Sequence, residues 1–494
     1  MSHGFESIIF EAEREREPMT GAGGADADEG ADGLMEPPAA AEKNGTVKLK
    51  VLEEDEEQTK FTGLNKEELL RVAGSPGWVR TRWALLLVFW IGWLGMLVGA
   101  VLIILRAPVC RELPPTDWWN EGPLLQIRNL QAFSETKDLK GLEQKVSTLS
   151  GLKLKGLVIG PIHAAPADDP MNLEFEEISP EFGNLEQFKR LLQTAHRKGV
   201  FVVLDLTPNY RGSSGPWFSS ASVTNVAERL KSALVFWLSE GVDGIQLPGV
   251  EDLARMVPSL WTDIRAIIQN GTDKVLIGVT ETSSAETVSD VLSSTGVDLL
   301  LSGVLSASDQ TERAHSVQLL YSNHSQTKLA WSLEDLSRDL VKVNQLLLMT
   351  LPGTPVFIGG DGIGLKDDDT KVVWDSEMEL NSSLQRGERS FFQSISELRG
   401  KERSLLFGDF SLLFNSSSSL AYLRVWDQST RFLAAFNWAA EEVELQLSGA
   451  GLPHHAAVVR STNTSALPEE SSVDLRKLRL GPGQAALVRF PHDG

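Results

Sequence analysis

Between Trp83 and Leu105 the chain reads WALLLVFWIGWLGMLVGAVLIIL, without a charged residue. As an α-helix, at about 1.5 Å per residue, the run covers roughly 34 Å, enough to cross a hydrocarbon core of about 30 Å. A core helix of a soluble domain is rarely apolar on every side for that length. The run starts too far from Met1, and is too long, for a cleaved leader. One membrane-spanning helix, 83–105, is therefore expected. Arg71, Arg80 and Arg82 precede it, while Arg106 and Arg111 follow. That small excess favours the amino terminus inside. N-x-S/T acceptors agree: Asn270, Asn323, Asn381, Asn415 and Asn463 follow the span and Asn44 alone precedes it. The expectation is a type II, single-pass membrane protein with a large outer part and glycans on those five asparagines.

Gly92, Gly95 and Gly99 fall near one face of this helix. Small residues so spaced let a second helix approach closely, although glycine is also common in membrane helices without such a role. A single helix encloses no pore, so any transported substrate would have to be carried by another chain.

Residues 1–82 form the expected inner segment. Its first part is rich in Glu, Ala and Gly, with EEDEE at 53–57. It has no apolar periodicity, which predicts disorder. Nearer the span, Leu64, Leu69, Leu70 and Val72 fit one face of a short amphipathic helix. Asn65 is its expected N-cap with Glu68 three residues on, Pro76 its stop, and Trp78 suits the lipid headgroup level. Such a helix would dock on membrane lipid or on a partner. The formal net charge of −21 speaks against nucleic acid, which needs a basic face.

The single cysteine, Cys110, has no partner within the chain. It is a free thiol or half of an intermolecular bridge. Its place just outside the membrane, in an oxidising compartment, favours the bridge. Pro108, Pro114 and Pro115 predict an extended, stiff neck over 106–120.

From 121 to 400 strand-like apolar runs alternate with amphipathic helices. GLVIG (156–160) precedes a helix with Asn184 as N-cap and Phe188, Leu191, Leu192 and Ala195 on one face. VFVVLDL (200–206) precedes another with Val226, Leu230, Ala233, Leu234, Trp237 and Leu238. GIQL, KVLIGV, VDLLLS and TPVFIG follow. That rhythm indicates an α/β parallel sheet closed into a (β/α)8 barrel. From 401 to 494 shorter alternating runs, LLFGDFSLLF, LAYLRVW, RFLAAFNWA, VELQLSG and AALVRF, predict an antiparallel β-sandwich.

The stretches ISPEFGNLEQFKRLLQTAHRKGVFVVLDLTPNYRG (178–212), GVDGIQL and LPGTPVFIGGDGIGL (351–365) resemble, in order, regions of the alpha-amylase family of barrel glycosidases. The extra domain that this family inserts after its third strand is missing between Asn209 and Val223. Retaining glycosidases need two carboxylates about 5–5.5 Å apart. By the resemblance, Pro248 stands where the nucleophilic aspartate is expected, Gln246 where an arginine is expected, and Tyr210 where a histidine follows Asn209. The acid glutamate is expected at the end of VLIGVTE, where the register gives Thr280. LAWSLED (329–335), matched to the late Asn-His-Asp region, has no histidine. Asp205 matches the family, in a structural role. His163 reads as a rim residue and His196 as a helix-surface residue. No HExxH, P-loop, GxSxG or paired-cysteine motif is present, so neither a metal nor a cofactor is expected.

KFTGLNKEELLRVAGSPGWVRTRWALLL and VCRELP are similar to the juxtamembrane segment and cysteine neck of the heavy chains of heteromeric amino-acid transporters. That resemblance implies a non-catalytic plasma-membrane subunit. It would pair through Cys110 with a twelve-span light chain of the L-type or a related class, carry it to the cell surface and stabilise it. It also implies association with integrin beta subunits. Two other classes stay open on the residues: a glycosidase with displaced carboxylates, and an adhesion receptor, such as a Cys110-linked homodimer.

Overall fold

The computed structural model describes residues 65–492, apart from 108–109, 135, 272, 307–309, 334–337, 364, 366, 369–370, 373–381, 448 and 450. The acidic tail, Leu64, Pro108, Asn381 and the end of LAWSLED lie outside the described residues. The chain divides into two units, Met1–Arg106 and Ala107–Gly494.

The first unit contains α1 (Lys66–Ala73) and α2 (Pro76–Arg106). Asn65 caps α1 by accepting the Lys66 N–H at 2.9 Å; the expected reach to Glu68 is replaced by this shorter one. α1 ends at Ala73, ahead of Pro76 as expected, and Pro76 itself begins α2. At the first helical position its missing N–H costs nothing and its fixed φ suits the turn. α2 is therefore longer than the apolar run at its amino end, taking in Trp78, Arg80 and Arg82. No residue of α2 is buried.

In the second unit eight parallel strands close a barrel in sequence order: β1 (Leu124–Ile127), β2 (Gly156–Ile159), β3 (Phe201–Asp205), β4 (Gly244–Pro248), β5 (Val275–Thr280), β6 (Leu299–Ser302), β7 (Leu329–Trp331) and β8 (Thr354–Ile358), with β8 returning to β1. Leu124, Val158, Val203, Ile277, Leu299, Leu301, Ala330 and Val356 fill the interior. The outer faces of the strands bury against the surrounding helices, whose apolar stripes are those the sequence predicts. In α3 (Leu185–Arg197), Phe188, Leu191, Leu192 and Ala195 are buried. Asn184 and Gln187 cap its start reciprocally, each backbone N–H donating to the other's side chain at 3.0 Å. In α4 (Val223–Glu240) the buried stripe runs from Val223 to Trp237, and Gly241 ends it in the left-handed conformation at φ 100°.

The helix Ser382–Lys401 ends the barrel. Leu405 and Leu406 belong to a helical turn, Arg403–Leu406, rather than to the first sandwich strand, because Leu405 is drawn into the barrel-side core. A six-stranded antiparallel sheet follows, with β9 (Asp409–Asn415), β10 (Ser419–Val425) and β11 (Arg431–Asn437) consecutive in it. A two-stranded sheet, Val443–Leu445 with Leu478–Leu480, covers it across Ala421, Leu433, Val458, Ala486 and Val488.

Candidate functional site

The barrel mouth is where chemistry resides in this architecture, and strand register decides which side chains reach it. Asp205 is level with Gln246, Gln246 with Ile277, and Pro248 with Val279. Neighbours in a parallel pair share a face, and Ile277 lies in the interior cluster. Asp205, Gln246, Pro248 and Val279 therefore face inward at the carboxyl ends of three adjacent strands.

Asp205 is buried and its carboxylate is fully engaged. One oxygen accepts from the Thr207 N–H at 2.9 Å and the Thr207 hydroxyl at 2.6 Å; the other accepts from Gln246 Nε2 at 2.8 Å. Burial raises its pKa against the pull of these donors. Pro248 offers only its carbonyl, which accepts from Trp217 Nε1 at 2.8 Å.

Thr280 is not at the mouth. It is level with Ser302 on the outer face, and its hydroxyl donates to Glu251 Oε1 at 2.8 Å, on the helix Val250–Met256 outside the barrel. The inward residue at this strand end is Val279. A one-residue difference in register exchanges the two faces, which is why the sequence match misassigned this position. Glu281 is exposed beyond the end of the strand.

His163 is not a rim residue either. It is fully buried, tilted against Phe175 at 5.0 Å and edge-to-face with Tyr210 at 5.3 Å between ring centroids. Neither ring nitrogen makes a hydrogen bond; the Pro208 carbonyl is nearby but outside bonding geometry. The Tyr210 hydroxyl donates to the His163 carbonyl at 2.8 Å. His196 is on the surface of α3, with Nε2 2.7 Å from Asp243 Oδ2. Asp243 also accepts the Val202 N–H at 2.8 Å, so the pair braces the end of the barrel opposite the mouth.

The loop after β3 is tied down by a residue that sequence reasoning missed. Asp168 accepts the N–H groups of Ser213 and Ser214 and the Asn209 side-chain amide at 2.9–3.1 Å, and also the Ser214 hydroxyl. These donors hold its carboxyl well below the usual range. Among the described residues no group of three His, Cys, Asp or Glu side chains is arranged to hold a metal ion.

Away from the barrel, Cys110 is exposed. On α2, Gly92, Gly95 and Gly99 lie within about 60° of arc, and a Cβ built on any of them meets nothing within 4 Å. This face is open to a second helix. Asn270, Asn323 and Asn463 are exposed. Asn415 differs: its amide nitrogen donates to the Thr311 carbonyl at 3.1 Å and its amide oxygen is buried. Glycans are therefore expected on the first three and not on Asn415. On a gel of the expressed chain, Asn→Gln at 270, 323 or 463 should each remove one glycan's mass, and Asn415→Gln none. A shift with Asn415→Gln would refute this assignment.

The model of the solute carrier family 3 member 2 N-terminus matches residues 48–125, and that of the alpha amylase catalytic domain matches 133–225. The chain is 42% identical to the amino acid transporter heavy chain SLC3A2 of Oryctolagus cuniculus and 40% identical to that of Rattus norvegicus, in each case over 98% of this chain and 97% of the relative. Among solved structures, the trehalulose synthase MutB from Pseudomonas mesoacidophila MX-45 superposes with a TM-score of 0.61 at 16% identity, over 76% of this chain and all of that one. That likeness is one of fold.

Proposed function

This chain belongs to the amino acid transporter heavy chains, and from that premise we propose that it is the non-catalytic subunit of a disulfide-linked transporter. The near full-length identity to SLC3A2 heavy chains carries the reading. The matched N-terminal region, 48–125, includes both the membrane helix and Cys110. The partner is a multi-span light chain of the L-type or a related class, which carries the amino acids. Cys110 joins its thiol to one of the light chain. Two electrons and two protons pass to a disulfide-bearing oxidant of the secretory compartment as the S–S bond forms. The bridge turns a weak helix contact into an intramolecular one, at a high effective concentration. Gly92, Gly95 and Gly99 are the face on which the light chain's helix packs.

The amino terminus is cytoplasmic and the barrel and sandwich are extracellular, with the complex at the plasma membrane. α1 lies at the inner surface against lipid or the light chain. Association with integrin beta subunits runs through the inner segment and the span. Hydrolysis is not part of the function: of Asp205, Gln246, Pro248 and Val279, only Asp205 carries a carboxyl, and it is spent on Thr207 and Gln246. A retaining glycosidase needs two carboxylates facing one sugar.

The test is a non-reducing gel of solubilised membranes, wild type beside Cys110→Ser, with mass spectrometry of any band that shifts. A band containing a multi-span transporter, lost in the variant, is expected. A homodimer, or no shift, would sink the disulfide-linked subunit and favour an adhesion role.

A further inference from the structure

The residue after Cys110 is fastened to a part of the chain some three hundred residues away. The Arg111 guanidinium donates to Asp409 Oδ2 at 2.9 Å, and its backbone N–H donates to Asp427 Oδ2 at 3.2 Å. The guanidinium carbon also lies 4.5 Å from the centroid of the Trp426 ring. The seat is itself braced. The Tyr321 hydroxyl donates to the other Asp409 oxygen at 3.1 Å. Trp426 is buried, with its N–H on Ser404 Oγ at 3.1 Å. Asp427 occupies the left-handed region at φ 45° in the β10–β11 turn. An exposed ion pair alone holds little. Here a charge pair, a charge-assisted backbone bond and a cation–π contact converge on one residue from a rigid platform.

We infer that Arg111 is the positioning residue of the interchain bridge: by seating the neck on Asp409, Trp426 and Asp427, it fixes where Cys110 meets its partner thiol. The inference rests on the reading of Cys110 as the bridging cysteine. Adjacent Cα atoms are about 3.8 Å apart, so the clamp leaves the thiol only the freedom of its own residue and side chain. Without it, the place of Cys110 over the ectodomain would no longer be set by the sandwich. The effective concentration of the thiol at its partner falls as the tether loosens.

Two readouts test this on the full-length chain. The first is the pulse–chase rate of conversion to the bridged form, with an L-type light chain co-expressed in cells lacking their own heavy chain. The second is the spin–spin distance distribution between nitroxides on Cys110 and on an exposed Glu441→Cys in the sandwich. Arg111→Ala should slow bridging by about threefold or more and broaden the distribution. Arg111→Lys, which keeps a cation for Asp409, should recover most of both. The exchange of Arg111→Asp with Asp409→Arg should recover part, which general damage to the neck would not allow. If Arg111→Ala leaves either readout unchanged, the positioning role is overturned. Absence of a bridged band in the wild type would instead sink the Cys110 reading, and the distance measurement would still decide whether the clamp exists.

Discussion

Arg399→Ala should destabilise the folded chain by about 3–5 kcal/mol, an effect on the scale of breaking a buried charge network. Arg399 is fully buried, and among the described residues no carboxylate pairs with it. Its charge is met by three carbonyls: Met349 O at 2.5 Å, Leu351 O at 3.2 Å and Gly353 O at 2.5 Å. These belong to the end of the helix Val341–Thr350 and the turn that leads into β8. Arg424, also fully buried, reaches across from β10 to the carbonyls of Thr350 at 2.8 Å and Gly408 at 3.2 Å. The Tyr422 hydroxyl adds a 2.6 Å bond to Thr350 Oγ1. Burial, reinforced by the two arginines' mutual repulsion, pulls the Arg399 guanidinium down to about 9; Arg424, lowered by burial, comes to about 10. Both stay charged at neutral pH. Arg399 ties the last barrel helix to the end of Val341–Thr350 and the turn before β8, and Arg424 and Tyr422 join that same helix end, at Thr350, to the sandwich. Removing the Arg399 side chain leaves a cavity and three buried acceptors, each costing about 1–3 kcal/mol when unmade. Arg399→Met fills the space but not the acceptors, so it should recover only part. Urea unfolding of the detergent-solubilised chain gives the comparison, with Lys401→Ala as the control. Lys401 holds Glu397 at 2.6 Å on the exposed face, a solvent-screened contact that contributes little. A midpoint for Arg399→Ala equal to that of the control would refute the account.

None of this joint is legible in the sequence. In FFQSISELRGKE and LAYLRVW the two arginines look like ordinary surface charges, because their partners lie dozens of residues away. The same holds for Arg111, whose partners are Asp409 and Asp427. What can be read locally is read well. The absence of charge between Trp83 and Leu105 gives the span, and the Asn184–Gln187 cap with four apolar residues at helical spacing gives α3. The barrel rhythm carries the rest. Two strands are too short to announce themselves, LLQI at β1 and LAW at β7. The direction of Thr280 escapes for a different reason. VLIGVT is buried on both faces, as strands of a parallel barrel are, so it shows no alternation from which to read a face. Only the pairing of Val279 with Pro248 fixes it. His163 escapes because a histidine in a loop-like PIHAAP segment has no pattern to mark it as buried.

That burial sets a pH dependence. Burial pushes the His163 imidazole from its ordinary 6.5 down to about 3, with the nearby Arg211 charge acting in the same direction and the Pro208 carbonyl opposing. Unfolded, the residue takes up a proton as the pH falls through 6.5; folded, it does not until near 3. Between these values the unfolded chain binds more protons, so stability rises with pH. The contribution is fully present above 6.5 and is lost as the pH falls toward 3. At pH 5 the loss comes to about 2 kcal/mol, and at pH 7.5 it is close to zero. His163→Leu keeps the apolar contacts with Phe175 and Tyr210 and removes the titration. It also removes an unpaired buried N–H, so a constant gain at all pH values is expected. The signature is therefore the slope. Stability of wild type and variant, measured from pH 7.5 to 5, should diverge by about 1.2 kcal/mol between pH 6 and pH 5. Parallel curves would mean that the imidazole reaches a proton in the folded state, by opening the Phe175 side of its cage, and that His163 is less enclosed than its contacts indicate.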